Sequence, residues 1–262
     1  FKQKTAYEIP KRDWSSDVCS SDLHVHYSEK IVTLPHSYQC NDRKRPLPAI
    51  TPSRSDIGLP EGAFVFAAFN SSYKILPDIF AVWMGLLRAN SRAVLWLLDS
   101  NASAKTNLMN AAHAAGADPA RLIFAPPLPH EAHLARLAAA DLFLDTLPYN
   151  AHTTASDALW AGLPVLTVAG NTFAGRVGAS LLHAAGLPEL IAENLASYGD
   201  LALRLSQEED LLAHYRRKLV QGRGTCALFD TEGFTRHLEA AYGIMHARTR
   251  NGEPPQSFAV TS

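Results

Sequence analysis

The chain has no run of about 18 apolar residues, the length a membrane-spanning helix needs. It has only three cysteines, Cys19, Cys40 and Cys226, with no CxxC pair and no zinc-ligand spacing. That argues against a disulfide framework and for a reducing, cytoplasmic setting. Charge of one sign is missing too. Lys and Arg number 24 against 25 Asp and Glu, for a net charge of −1, so no basic surface is implied for nucleic acid or an anionic membrane. The eleven histidines are scattered, with no HExxH or paired-His motif, and no metal site is expected. What is present is a 47% hydrophobic content, ordinary for a globular domain.

Phe1 to Leu23 shows no apolar period. It resembles the translation of a sequencing adapter, with Ile9–Arg12 as the variable index and Arg12–Leu23 as the constant part. A native disordered tail is the alternative, and either way this segment is expected to pack against nothing. If it is adapter, the gene is truncated on its 5′ side and a length of protein is missing. The segment holds four basic residues (Lys2, Lys4, Lys11, Arg12) and four acidic ones (Glu8, Asp13, Asp17, Asp22), so the balance of the remainder stays at −1. The remaining ~240 residues suit one large domain or one and a half typical ones.

Residues 24–60 read as a connector, rich in proline and carrying the basic run Arg43-Lys44-Arg45; only Ile31–Leu34 has strand character. From residue 61 to 250 the pattern is regular. Short apolar strands are expected at Ala63–Phe69, Ala93–Leu98, Leu122–Ala125, Leu142–Leu144, Val165–Val168 and Leu190–Ile191. Helical spacing lies between them, at Pro77–Arg88, Ala102–Ala115, Pro129–Ala139, Thr153–Ala161 and Arg176–Ala185, with Gly116 and Gly186 as stops. Three more helices, Ser197–Leu205, Glu208–Gln221 and Thr231–Ala247, precede a tail at 251–262. Strands apolar throughout and alternating with helices predict an α/β fold: a Rossmann-like, open parallel sheet buried on both faces. Ligands in such sheets bind at the carboxyl ends of the strands, so the loops after Phe69, Ala125, Leu144 and Val168 should line one crevice.

The segment Asp141–Thr167 reads strand, polar loop, helix, Gly-Pro break, strand. His152, Thr153 and Thr154 stand at the helix start, where unpaired N–H groups and the helix dipole suit a phosphate. Asp157, one turn inside, suits the hydroxyls of a ribose; its plain alternative is a carboxylate complementing the dipole. Lys74, in the loop after the first strand, is placed to neutralise a departing diphosphate, or is a solvated surface lysine. His133 and Arg136 share a helix face and suit stacking on a nucleoside and bonding a base carbonyl; taken alone, a solvated face explains them as well. His130 is a weaker candidate. Trp160, Phe173 and Leu181 read as core.

These residues lie in strings that resemble a known family. Leu144–Thr167 (LDTLPYNAHTTASDALWAGLPVLT), Phe69–Ile75 (FNSSYKI), Phe173–Ile191 (FAGRVGASLLHAAGLPELI) and Leu228–Tyr242 (LFDTEGFTRHLEAAY) are similar, in order, to the C-terminal catalytic half of bacterial TPR-containing protein O-GlcNAc transferases. The resemblance runs from about Tyr27 to Pro255. It implies the donor-binding half of a GT-B fold, an inverting and metal-independent glycosyltransferase without cofactor, and UDP-GlcNAc as donor. It implies a protein acceptor, selected through a TPR region that this chain lacks. By position, Lys74 matches the lysine on the β-phosphate, His133 the histidine near the uridine, Arg136 the arginine on uracil, His152, Thr153 and Thr154 the phosphate loop, and Asp157 the ribose aspartate. Two positions depart from the family: Ser71 stands where it has a glutamine on the diphosphate, and His130 where it has a lysine near the ribose.

Three other readings compete. One is a nucleotide-binding scaffold without turnover. Another is a related O-fucosyltransferase using GDP-fucose, against which the His-Thr-Thr form counts. The last is a GT-B epimerase, which carries a Glu-rich ribose motif where this chain has Asp157. Because the family's candidate catalytic histidines lie in its other half, the chain alone is expected to bind nucleotide without turning over.

Overall fold

The computed structural model describes residues 21–46 and 51–261. The adapter-like stretch therefore lies outside the described residues except at its end, and there one expectation fails. Leu23, in a 3-10 turn at Ser21–His26, is buried at 8% exposure rather than packed against nothing. Residues 47–50 of the connector also lie outside the described part.

Six parallel strands form the main sheet: β2 Phe64–Ala68, β3 Ala93–Leu98, β4 Leu122–Ala125, β5 Leu142–Leu144, β6 Val165–Val168 and β7 Ile191–Ala192, in the spatial order β4-β3-β2-β5-β6-β7. β2 pairs with β3 through Phe66 and Leu95 on one side and with β5 through Phe66 and Leu142 on the other. The connections are helices: α1 Pro77–Ala89, α2 Ala102–Ala114, α3 His130–Leu137, α4 Thr153–Trp160 and α5 Phe173–Ala184. The chain thus winds outward from β2 to β4, returns to β5 beside β2, and winds out the other way. Between β2 and β5 the order reverses, and crossovers leave on opposite sides. The crevice where such sheets take their ligands is expected at that reversal, at the carboxyl ends of the strands.

The sequence explains why the sheet is central. β2, β5 and β6 are apolar at nearly every position and nearly wholly buried, as strands covered on both faces must be. α1 buries Ile79, Phe80, Trp83, Met84, Leu86 and Leu87, an apolar stripe at helical spacing. α2 and α5 stop where the sequence has Gly116 and Gly186, with φ of 72° and 75°. α5 starts three residues earlier than its periodicity predicts, because the Thr172 hydroxyl accepts from the Gly175 N–H and caps it.

α6 Leu195–Gln207 begins in a capping box of Asn194 and Ser197 and packs on α1. Its Tyr198 links two layers: the hydroxyl accepts from Trp83 Nε1 at 3.2 Å and donates to the Asp145 carbonyl, at the end of β5, at 3.1 Å. α7 Glu209–Gly222 and α8 Thr231–Arg250 follow.

A second, smaller core lies apart from the sheet. Val32, Leu34, Ala241, Met245 and Val260 are buried together, with Phe234 and Phe258 against them. It is closed by a parallel pair, β1 Val32–Thr33 with β8 Phe258–Ala259. The sequence reading gave no element to 251–262; a two-residue strand carries no period to detect. On α8, Tyr242 and Ile244 are left exposed. Among the described residues no helix is long and apolar enough to cross a membrane.

Candidate functional site

The loop after β5 forms the floor of the crevice. Asp145 ends the strand and is fully buried, yet it is a carboxylate among donors. Its Oδ1 accepts from the N–H of Thr146 (2.7 Å) and of Ala151 (2.6 Å), and its Oδ2 from the Thr167 hydroxyl (2.7 Å). Burial pushes this carboxyl up to about 6, against those hydrogen bonds and the nearby charge of Lys74. Asn150 extends the bracing: its amide donates to the Thr146 carbonyl and its Oδ1 accepts from Gly178 N–H of α5. Gly178 is required here, since a Cβ would collide with Asp145 Oδ2 and Thr167 Oγ1.

On this floor Lys74 and His152, both expected from the sequence, come together through Tyr149. Lys74 arrives from a 3-10 turn at Ser72–Lys74 after β2. Its Nζ donates to the Asn150 carbonyl at 2.8 Å and lies 3.9 Å from the centre of the Tyr149 ring. Tyr149 is stacked on His152 at 5.2 Å, and His152 opens α4. Burial, opposed by Asp145, lowers the Lys74 pKa. Burial and then Lys74 lower that of His152, which keeps the imidazole neutral near pH 7. Thr153 is exposed and Thr154 half-buried at the head of α4, and the N–H groups of both have no acceptor among the described residues. Ser71 is exposed at the mouth; its carbonyl accepts from Lys74 N–H.

His133 and Arg136 form a second group, on α3 beside β4. Arg136 is not a solvated residue: at 2% exposure it lies over Phe69, with Cζ 4.6 Å from the ring centre. It donates to the Pro126 carbonyl and, through Nε, to His133 Nδ1 at 3.1 Å. Burial, with the charge of Arg136 behind it, pushes His133 down to about 4, so the ring is neutral with Nδ1 as acceptor. The guanidinium expected on a base carbonyl is thus largely engaged within the protein, and its immediate effect is to orient His133.

Asp157 and His130 make the third group. Asp157 has 7% side-chain exposure, and both its oxygens are engaged. His130 Nε2 lies 3.2 Å from Oδ2, and Arg45 NH1 lies 2.5 Å from Oδ1. Sequence reasoning left Arg45 in the connector's basic run, and it left Asp145, Tyr149 and Asn150 unnamed. Asp145 had a readable signal, a carboxylate ending the strand where two βαβ halves meet. Arg45 had none, since its partner is 112 residues away.

All three groups lie along the carboxyl edge of the sheet, at the loops after β2, β4 and β5. Two cavities of about 400 Å³ lie elsewhere: one at the amino end of the strands by Arg54, Asp141 and Arg216, the other by His36, Asp230 and His237. Among the described residues no cluster of three or more His, Cys, Asp or Glu is placed to hold a metal.

Comparison with known proteins agrees with this geometry. The solved O-GlcNAc transferase of Thermobaculum terrenum, a mutant form, superposes with a TM-score of 0.81 at 33% identity, covering 88% of this chain and 44% of that one. A sucrose-phosphate synthase from Thermosynechococcus elongatus shares the fold alone (TM-score 0.65, 16% identity, covering 89% of this chain and 58% of that one). The sheet is thus the expected Rossmann-like half of a GT-B fold. A probable UDP-N-acetylglucosamine–peptide N-acetylglucosaminyltransferase SEC of Arabidopsis thaliana is 38% identical over 240 residues, 89% of this chain. A UDP-N-acetylglucosamine–peptide N-acetylglucosaminyltransferase of Caenorhabditis elegans is 34% identical over 84% of the chain. A probable transferase of the same description, SPINDLY of Petunia hybrida, is 32% identical over 87%. The chain spans 25%, 19% and 24% of the length of these three relatives. The model for glycosyl transferase family 41 matches residues 32–238, and the chain belongs to that family.

Proposed function

We propose that this chain is the donor-binding half of an enzyme that transfers N-acetylglucosamine from UDP-GlcNAc to serine or threonine hydroxyls of proteins. The observation that carries the proposal is the convergence of Lys74, Tyr149, His152 and the free N–H groups of Thr153 and Thr154 at the reversal of strand order. In this reading the diphosphate sits at the head of α4, where those N–H groups and the threonine hydroxyls donate to it. Neutral His152 donates one further hydrogen bond. As the bond from the sugar to the β-phosphate breaks, the electron pair moves onto the phosphate oxygen. A half-buried Lys74 ammonium stabilises that charge more than a solvated one does. No metal or cofactor is assigned to this step, because Lys74 and the helix head supply the positive field.

His133, held neutral, packs against the base; Asp157 takes the ribose hydroxyls; Ser71 and His130 border the diphosphate and the ribose. The base that accepts the acceptor's proton, and the recognition of the acceptor protein, belong to the part of the relatives that this chain does not span. The chain alone therefore binds donor without turnover, and measurable transfer to a peptide by this chain would refute that part.

The test of the site is a comparison of UDP with uridine on wild type and Lys74→Ala. The substitution should weaken UDP by roughly tenfold to a hundredfold, the value of one charge-assisted contact, and leave uridine unchanged. Equal effects on both ligands would remove Lys74 from the phosphate site.

A further inference from the structure

Arg45 lies in the segment before the sheet, yet its guanidinium reaches into the crevice wall. Its side chain is 12% exposed, and Cζ lies 5.2 Å from the Trp160 ring centre and 5.9 Å from that of Phe229. Nε donates to the Asp42 carbonyl at 3.0 Å and NH1 to Asp157 Oδ1 at 2.5 Å, while NH2 is buried with no partner. Among the described residues Asp157 is the one carboxylate that compensates this buried charge. The segment that leads into Arg45 is fastened to two elements. Gln39 donates to Ser156 of α4 at 3.1 Å, and Asn41 donates to the Leu228 carbonyl and accepts from the Thr231 hydroxyl at the start of α8. Arg45 itself is held by the Asp42 carbonyl and by the Trp160 and Phe229 rings as well as by Asp157.

The two oxygens of Asp157 are held very differently. Oδ1 meets a guanidinium packed against two aromatic rings. Oδ2 meets the His130 imidazole, whose side chain is 55% exposed and free to swing aside. A carboxylate has about four acceptor positions, so one bond to Arg45 leaves room for two hydroxyls. A carboxylate already locked in its rotamer also pays no orientation cost when a ligand arrives.

We infer that Arg45 is a positioning residue for the ribose end of the donor site: it fixes Asp157 with one oxygen turned to the crevice, and so makes the site selective for a nucleotide that carries ribose hydroxyls. The inference rests on the reading of Asp157 as the ribose carboxylate, and its test separates the two.

Calorimetric titration of the whole chain with UDP and with 2′,3′-dideoxy-UDP gives the selectivity ratio directly. Wild type is expected to favour UDP by about tenfold or more, the worth of one or two well-made hydrogen bonds. Arg45→Met should bring the ratio to within about twofold, as should Asp157→Asn, which keeps an acceptor opposite Arg45 although it removes the charge that compensates the guanidinium. Arg45→Lys should fall between, because an ammonium lacks the planar fork and the stacking surface. An arginine that only supports the fold would weaken both nucleotides by the same factor. An unchanged ratio in Arg45→Met, or in Arg45→Lys if the methionine variant does not fold, overturns the inference while leaving the donor site standing. Wild type that binds both nucleotides equally overturns the ribose role of Asp157 and the inference with it; wild type that binds neither overturns the donor site itself.

Discussion

His133 shows how one buried contact sets a protonation state. Arg136 donates to its Nδ1, so a proton there would face a guanidinium in a poorly solvated place. Its folded pKa of about 4 lies below the ordinary 6.5. Between those values the unfolded chain binds more protons than the folded one. The contribution of His133 is therefore fully present above about pH 6.5 and is lost as pH falls towards 4. Asp145 acts in the opposite sense. Its folded pKa is raised to about 6, so it adds stability below its ordinary 3.8 and loses it as pH rises through 6. The overall acid profile mixes the two, but a comparison with His133→Asn isolates the first. An asparagine oxygen can still accept from Arg136, and it does not titrate. Thermal melts should show wild type losing stability relative to this variant between pH 6.5 and pH 4; parallel profiles would mean that His133 is not held neutral by its surroundings.

The packing of α5 on β5 and β6 decides whether the site loop keeps its shape. Gly178 brings the α5 backbone against Asp145 and Thr167 and donates to Asn150, whose carbonyl in turn accepts from Lys74. Gly178→Ala should therefore destabilise the chain by about 1–3 kcal/mol, the usual cost of overpacking, seen as a lower denaturant midpoint. It should also weaken UDP, since Asn150 must move; an unchanged midpoint would show that α5 can slide. Elements of this kind were largely readable from the sequence. Unbroken apolar runs gave the strands, the period of Ile79 to Leu87 gave α1, and glycines marked the ends of α2 and α5. The head of α4 and Lys74 stood out because polar residues cluster where parallel strands end. What periodicity did not carry was tertiary. The Thr172 cap moved the start of α5, β1 and β8 pair across more than two hundred residues, and the burial of Arg45, Asp145 and Arg136 depends on neighbours remote in sequence.

At the scale of the molecule, the described residues form a six-stranded parallel sheet with its helices and a small second core, β1 and β8 against α8. Near-neutral overall, the chain exerts no long-range pull on an anionic donor. In the proposed site, affinity comes from short-range contacts: Lys74 and the α4 head as donors, and Asp157 as an acceptor for the ribose hydroxyls. Calorimetric titration of the whole chain with UDP against GDP tests that most directly. Saturable 1:1 binding of UDP, tighter than GDP by about tenfold or more, is the expected result. Equal affinity for the two, preference for GDP, or no binding by a folded sample would contradict a UDP-sugar donor site on this sheet.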